Sequence, residues 1–444
     1  MVKKLLTNLL SPFIKNEDDI TRLSTVIIPS FIVRSGYFIL AYLILLVLTR
    51  TLGPSRYGIY SYAAAIIFLL TNFSSYGFEM LAVKYTSAYL AKGEKGLWKG
   101  LYTWSYKLLL IIGAMVAGGT ALFLWLSVYV LHLIPKTAYI LPIMAFCSII
   151  PIYTLINLYT NLLRGQNKLL ISFLPDNTVK PLFLLIALIV FRLIAGKMNL
   201  PIAIGLNLIS FIVTFIFIVT VFHRKNNFKG IEAKYDKPKW RSFVTSLFLL
   251  TCVTSLSRLD IIMLGSLKDA SQVGIYYAAE RYASSLLFFI YVMNTIIAPS
   301  IARLNTPEDK EKLQKMITRT IRWVMLFSAP VFIVLIVFSG QIMQLSGTQF
   351  LPGKPSLIII CCGLLIDIAF GPVGNFALMT GHEKYNTIYA AIGIFINIAL
   401  NLILTPHMGL NGTAIATTSS VIFWNAAMFF TIKKKTGIST WIFG

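Results

Sequence analysis

Tyr57-Gly58-Ile59-Tyr60-Ser61-Tyr62-Ala63-Ala64 returns 216 residues later as Val273-Gly274-Ile275-Tyr276-Tyr277-Ala278-Ala279-Glu280. The same offset pairs Leu97 and Lys99 with Leu313 and Lys315, and Gly165 and Lys168 with Gly381 and Lys384. One offset shared by separate anchors marks an internal duplication, so the chain is read as two copies of one unit.

Around these anchors the apolar residues form solid blocks, not the 3.6- or 2-residue alternation of half-buried elements. Many blocks exceed the ~18 residues that a helix needs to cross ~30 Å of hydrocarbon. The expected spans are 24–49, 58–80, 101–128, 139–163, 171–194 and 199–222 in the first half, and 243–267, 273–297, 323–345, 356–380, 385–404 and 412–432 in the second. Lipid leaves no partner for an open backbone group, and the blocks are too long and uniform for barrel strands, so they are helices. The expected fold is an all-α polytopic membrane protein with twelve transmembrane helices in two six-helix bundles. Residues 1–222 form an N-lobe, 223–242 a cytoplasmic linker and 243–444 a C-lobe. Six is even, so both copies enter the membrane in the same sense, related by a pseudo-twofold axis along its normal. The cleft between such bundles is where a translocated substrate binds. Residues 1–14 could lie along the membrane surface as a short interfacial helix.

Composition agrees. Of 444 residues, 57% are hydrophobic and only 12% charged, with a mean hydropathy of +0.78, which excludes a soluble enzyme. The 39 Lys and Arg against 16 Asp and Glu leave a net charge of +23, a value that in a soluble protein would point to nucleic acid. Here 27 of the bases fall on one side of the expected topology, 7 on the other, counting Arg192 at the outer end of the fifth span, and the remaining 5 inside spans. The excess therefore reports orientation, with both termini cytoplasmic in a cell (inner) membrane, and no nucleic-acid partner is expected.

Charges within spans are costly and mark candidate sites. Asp176 and Lys180, four apart on one helix, are expected to neutralise each other, while Glu79 and Lys107 lie near helix ends where long side chains reach the interface. Arg34 lies near the middle of the first span with no acid within a turn. Arg281 and Arg258 lie in the outer halves of the eighth and seventh spans. An arginine fork binds phosphate in bidentate fashion and stays charged, so all three are candidate phosphate ligands; the alternative is ion pairing between helices. Asp260 and Asp367, with the neutral oxygens of Asn397, Asn401 and Thr417, offer a set suited to Na⁺ or to a proton, the alternative again being helix-to-helix hydrogen bonding.

The four cysteines and four histidines lack metal spacing, so neither a metal site nor a cofactor is expected beyond a transported Na⁺ or H⁺. There is no phosphate-binding loop for direct ATP drive. The short outward loops argue against a membrane glycosyltransferase or polymerase.

Leu52-Gly53-Pro54-Ser55-Arg56-Tyr57-Gly58-Ile59-Tyr60 resembles the entrance signature of polysaccharide flippases in the multidrug/oligosaccharidyl-lipid/polysaccharide exporter superfamily. Leu259-Asp260-Ile261-Ile262-Met263-Leu264-Gly265 is similar to the start of that family's second half, and Gly409-Leu410-Asn411-Gly412-Thr413-Ala414-Ile415-Ala416-Thr417 to its last-helix entry. The resemblance implies a V-shaped, two-lobed transporter that turns a polyprenyl-diphosphate-linked oligosaccharide from the cytoplasmic to the outer leaflet for cell-surface polysaccharide biosynthesis of the O-antigen type. In the related lipid II flippases cavity cations hold the diphosphate, and Arg34 and Arg281 match two such positions. A sodium site of that branch matches Asp260, Asn397, Asn401 and Thr417. Two departures stand out: the pair of additional helices that grips the lipid tail there has no counterpart here, nor has the helix-two arginine. Expected partners are the lipid-linked oligosaccharide and membrane lipid, with the protein a monomer and polysaccharide assembly proteins its candidate associates. A multidrug cation antiporter of the same superfamily is the main alternative; Asp260 and Asp367 would suit it, whereas Arg34 and Arg281 would not.

Overall fold

The computed structural model describes residues 28–132, 138–304 and 309–443, and among them the protein is all helix and turn. The expected surface helix at residues 1–14 lies outside the described residues. The first half comprises α1 (Ile28–Ser75), α2 (Phe78–Ala91), α3 (Lys95–Trp125), α4 (Ile140–Cys147), α5 (Ile149–Gly165), α6 (Leu169–Leu174), α7 (Lys180–Ala195) and α8 (Leu200–Lys225). After the linker come α9 (Lys237–Ser255), α10 (Leu259–Leu267), α11 (Ala270–Ala283), α12 (Ser285–Leu304), α13 (Lys310–Val337), α14 (Ser339–Leu345), α15 (Lys354–Phe370), α16 (Val373–Met379), α17 (Glu383–Met408) and α18 (Leu410–Thr436).

Among the described residues eight helices are long and apolar enough to cross a membrane, or nine if α4 and α5, bent by 42°, form one span. Twelve were expected. The difference has local causes. The first two expected spans both lie on α1, whose two limbs join at Gly53. That residue has φ of 71°, a left-handed conformation natural to glycine, and Pro54 begins the next limb without needing a backbone donor. The seventh and eighth are broken near their middles, at the 3₁₀ turn Leu256–Arg258 and at Ser284. Large apolar side chains such as Leu193, Ile194 and Phe395 are exposed on the outside, as a lipid-facing surface requires.

The repeated motif is the seam between the lobes. α1 packs along α11, and a Cβ added to Gly58 would lie 1.7 Å from the Ala270 carbonyl oxygen, while one added to Gly274 would lie 2.1 Å from that of Pro54. Gly58 and Gly274, like Pro54 and Ala270, are 216 residues apart. Each glycine thus meets the carbonyl four residues before its own counterpart, as an approximate twofold axis between them demands. Only residues without a side chain permit backbones to touch in this way. Farther along, the Tyr42 hydroxyl donates to the Tyr282 carbonyl at 3.0 Å and ties the lobes again.

At the other end of the bundle the segment joining α8 to α9, with the start of α9, is docked, not free. Lys99 Nζ donates to the carbonyls of Phe228 and Ile231 at 3.1 and 2.8 Å, Lys234 N–H to Gly96, and the buried Trp240 indole to the Tyr89 hydroxyl at 2.8 Å.

Candidate functional site

A cavity of about 450 Å³ lies between the lobes. Tyr37, Tyr57 and Tyr60 line it from α1, Tyr153 from α5, and Asn207 and Phe211 from α8; Arg258 lines it from the 3₁₀ turn, and Tyr277 and Arg281 from α11. The π turn Pro175–Val179 and the start of α7 contribute Asp176, Asn177 and Lys180. Tyr57 stacks on Tyr60 and its ring centroid lies 5.9 Å from that of Tyr277; Asn207 Nδ2 donates to the Tyr60 hydroxyl at 2.6 Å. Buried aromatic faces with a few fixed polar groups are the usual lining of an organic-ligand site.

Arg281 follows Tyr277 by one helical turn, so both share a face of α11. Its guanidinium sits 4.8 Å from the Tyr277 ring centroid and donates to the Tyr277 hydroxyl. Among the described residues no carboxylate reaches it as a salt-bridge partner. Arg258 differs: it forms an ion pair with Glu280 across the 3₁₀ turn and α11. Arg258 therefore lines the same cavity as Arg281 but already holds an anion. The third expected ligand, Arg34, lies on α1, and its side chain lies outside the described residues.

Asp176 and Lys180, expected to neutralise each other, are electrostatic neighbours but form no direct ion pair. Lys180 N–H bonds to the Pro175 carbonyl, five residues back, because the backbone here is a π turn. Four-residue spacing no longer stacks side chains on such a turn. No salt bridge joins the two; Lys180 Nζ lies 4.1 Å from the Phe211 ring centroid and 5.2 Å from that of Tyr153. Asp176 Oδ1 is buried with no hydrogen-bond donor among the described residues. Lys180 is therefore a cavity cation that helical spacing hides. Pro175 and Pro181, which flank the turn and disturb the regular ladder, are the sequence signal for it.

The candidate ion-coupling residues divide into two groups. Asp260 is buried; its Oδ2 accepts from the Tyr276 hydroxyl at 2.6 Å and its Oδ1 from Ile261 N–H at 2.9 Å, with Thr417 beside the same tyrosine. α10, which carries Asp260, packs on both α17 and α18. There Asn397 Nδ2 donates to Thr417 at 3.3 Å, Asn401 Nδ2 to Asn397 Oδ1 at 3.1 Å, and Thr405 to Asn401 Oδ1 at 2.9 Å. Asp367 stands apart. It accepts from Asn425 Nδ2 at 2.9 Å, and Asn425 is eight residues beyond Thr417, about 12 Å along α18 at ~1.5 Å per residue.

The tyrosine lining was the other feature missed from sequence. Its signal was present in the duplicated motif, where Tyr57, Tyr60 and Tyr277 stand among small residues that a seam alone would have explained.

The family model described as Polysaccharide biosynthesis protein matches residues 27–305, more than half of the chain, and the one described as MatE matches residues 246–403. The chain is 24% identical over 198 residues to the probable low-salt glycan biosynthesis flippase Agl15 of Haloferax volcanii, covering 44% of this chain and 41% of that one. It is 25% identical over 175 residues to the probable flippase AglR of the same organism, covering 38% and 36%. The chain thus spans about two fifths of the length of the curated relatives it matches. Among solved structures, an inward-facing multidrug resistance MATE family transporter of the MOP superfamily superposes with a TM-score of 0.73 at 15% identity, over 92% of this chain and 98% of that one. The lipid II flippase MurJ in an inward closed conformation superposes with a TM-score of 0.69 at 17% identity, over 91% and 87%. At such identities the superpositions establish the two-lobed fold. The length of the first family match establishes more: the chain belongs to the polysaccharide biosynthesis protein family.

Proposed function

We propose that this protein is a transporter, not a catalyst, and that it flips a polyprenyl-diphosphate-linked oligosaccharide from the cytoplasmic to the outer leaflet by alternating access, for cell-surface polysaccharide assembly. The observation that carries this is Arg281, a fixed cation in the inter-lobe cavity with no carboxylate partner among the described residues. A charge within a span costs ~2.5 kcal/mol or more, and an anionic headgroup drawn into the cavity would offset that cost with charge-assisted hydrogen bonds. Lys180 lines the opposite wall, and the tyrosines between them suit sugar rings. A volume of about 450 Å³ accommodates a diphosphate and the first sugars, while the prenyl tail stays in lipid.

The names of Agl15 and AglR, each described as a probable flippase, support this reading. In the proposed orientation the linker faces the cytoplasm of a cell with this protein in its inner membrane, and the Gly58–Gly274 seam closes the outer end. Coupling to Na⁺ or H⁺ would run through Asp260 and the α17–α18 network, a group of buried oxygens large enough to hold a cation. Replacing Arg281 with Ala in proteoliposomes is expected to lower flipping of a fluorescent polyprenyl-diphosphate glycan at least about tenfold, the loss expected of one charge-assisted contact. Undiminished flipping, or efficient export of organic cations by the wild type, would favour a multidrug antiporter instead.

A further inference from the structure

The two copies of the duplicated unit differ where the linker docks. On α3 the lysine of the repeat, Lys99, is occupied by the carbonyls of Phe228 and Ile231, and the Phe228 ring stacks on Tyr102 with centroids 5.4 Å apart. The counterpart on α13 is Lys315, and there the described residues leave the surface open. Residues 439–443 bind one edge of α13: Gln314 exchanges two hydrogen bonds with the Ser439 backbone, and Arg322 Nε donates to the Ile442 carbonyl at 3.1 Å. Beside that edge lies a pocket of about 430 Å³ lined by Lys315, Arg319, Arg322, Trp323 and Leu326.

These five side chains form one exposed stripe on α13. Their order along the helix matters. The three bases occupy positions 315–322, about 10 Å of helix at ~1.5 Å per residue, and the apolar group follows on the next turn, where Trp323 stacks on Phe327. Cations first and aromatic or aliphatic surface next is the profile of a phospholipid, from headgroup phosphate to glycerol and acyl chain. Lys315 pairs with Glu311 in a fully exposed contact that holds it weakly. Among the described residues no acid pairs with Arg319 or Arg322. Orientation by positive charge would be served equally by bases on either lobe. At the positions equivalent to Arg319 and Arg322, however, α3 carries Thr103 and Tyr106. The basic pocket belongs to the C-lobe alone.

We infer that this pocket on α13 is a binding site for the phosphate headgroup of an anionic membrane phospholipid in the leaflet at the linker end. Bound there, the lipid lies outside the inter-lobe cavity and bridges α13 to the chain segment 439–443.

The test uses the full chain purified in detergent, with phosphatidylglycerol or phosphatidylcholine added and retained lipid counted by native mass spectrometry. Wild type is expected to hold phosphatidylglycerol about tenfold more tightly than phosphatidylcholine, because the bases attract a net anionic headgroup. Arg319→Ala with Arg322→Ala should abolish that preference. The charge-matched control Arg224→Ala with Lys225→Ala, on the exposed end of α8, should keep it. Loss of equal size in both double variants, or a preference unchanged in the pocket variant, would overturn the proposal. So would displacement of the lipid by an equal concentration of a polyprenyl diphosphate, which would assign the pocket to the transported class of lipid. If the double variant does not fold, Arg319→Gln carries the same test.

Discussion

In the C-lobe Asn401, Thr405 and Thr413 form a closed chain of hydrogen bonds between α17 and α18, whereas in the N-lobe a carboxylate oxygen of Asp176 is buried with no donor among the described residues. The contrast extends to the cations. Arg258 of the C-lobe is matched by Glu280, while Lys180 of the N-lobe rests on aromatic rings. Polar groups that satisfy one another stabilise helix packing or cage a small ion. Cations that face a cavity without an ion pair are placed for something that arrives. The two copies thus differ at these places: the α17–α18 network and the Arg258–Glu280 pair find partners within the C-lobe, while Lys180 and Arg281 face the cavity with no ion-pair partner among the described residues.

The largest effect should come from the seam that both lobes share. Gly58→Leu drives a side chain into the Ala270 carbonyl, a clash of backbone and not of a movable side chain, and is expected to destabilise the protein by about 3 kcal/mol, at the upper end for overpacking. Thermal unfolding in detergent checks this; wild-type stability would remove the seam from the account. Next comes the ion pair. Glu280→Gln leaves Arg258 in the cavity without its anion and should cost about 2 kcal/mol, below the usual loss for a fully buried pair because both side chains are roughly a quarter exposed. Adding Arg258→Met should recover most of that stability and preserve flipping. If flipping is lost in the double variant although stability returns, Arg258 holds substrate as well as Glu280. The smallest effect is expected at Asn401→Ala, about 1–2 kcal/mol for a broken buried network, with a weakened response of flipping to a Na⁺ or H⁺ gradient. An unaltered gradient response would make the α17–α18 network purely structural.

How much of this could be read from sequence depends on whether the cause was local in the chain. The duplication was legible because the twofold seam needs glycine at two equivalent positions, and Gly58 and Gly274 announce it. The grouping of Asp260 with Asn397, Asn401 and Thr417 was legible from residue type, since amide and hydroxyl side chains in spans seek one another, but the separation of Asp367 was not, because it depends on which side of α18 the helix α15 packs. Asp176 and Lys180 are neighbours without a direct contact for a backbone reason. Four-residue spacing implies a contact only on an α-helix, and the π turn after Pro175 removes it. The Arg258–Glu280 pair joins two elements and leaves no periodic trace in the chain.

The central claim is that the inter-lobe cavity recognises a diphosphate through Arg281. Its most direct test is the affinity of the purified protein for a short-chain polyprenyl diphosphate, compared among wild type, Arg281→Ala and Arg281→Lys. Loss of a charge-assisted, bidentate contact predicts binding about tenfold to a hundredfold weaker in Arg281→Ala, with Arg281→Lys between the two because an ammonium keeps the charge without the planar fork. Equal affinity in all three proteins would contradict the account.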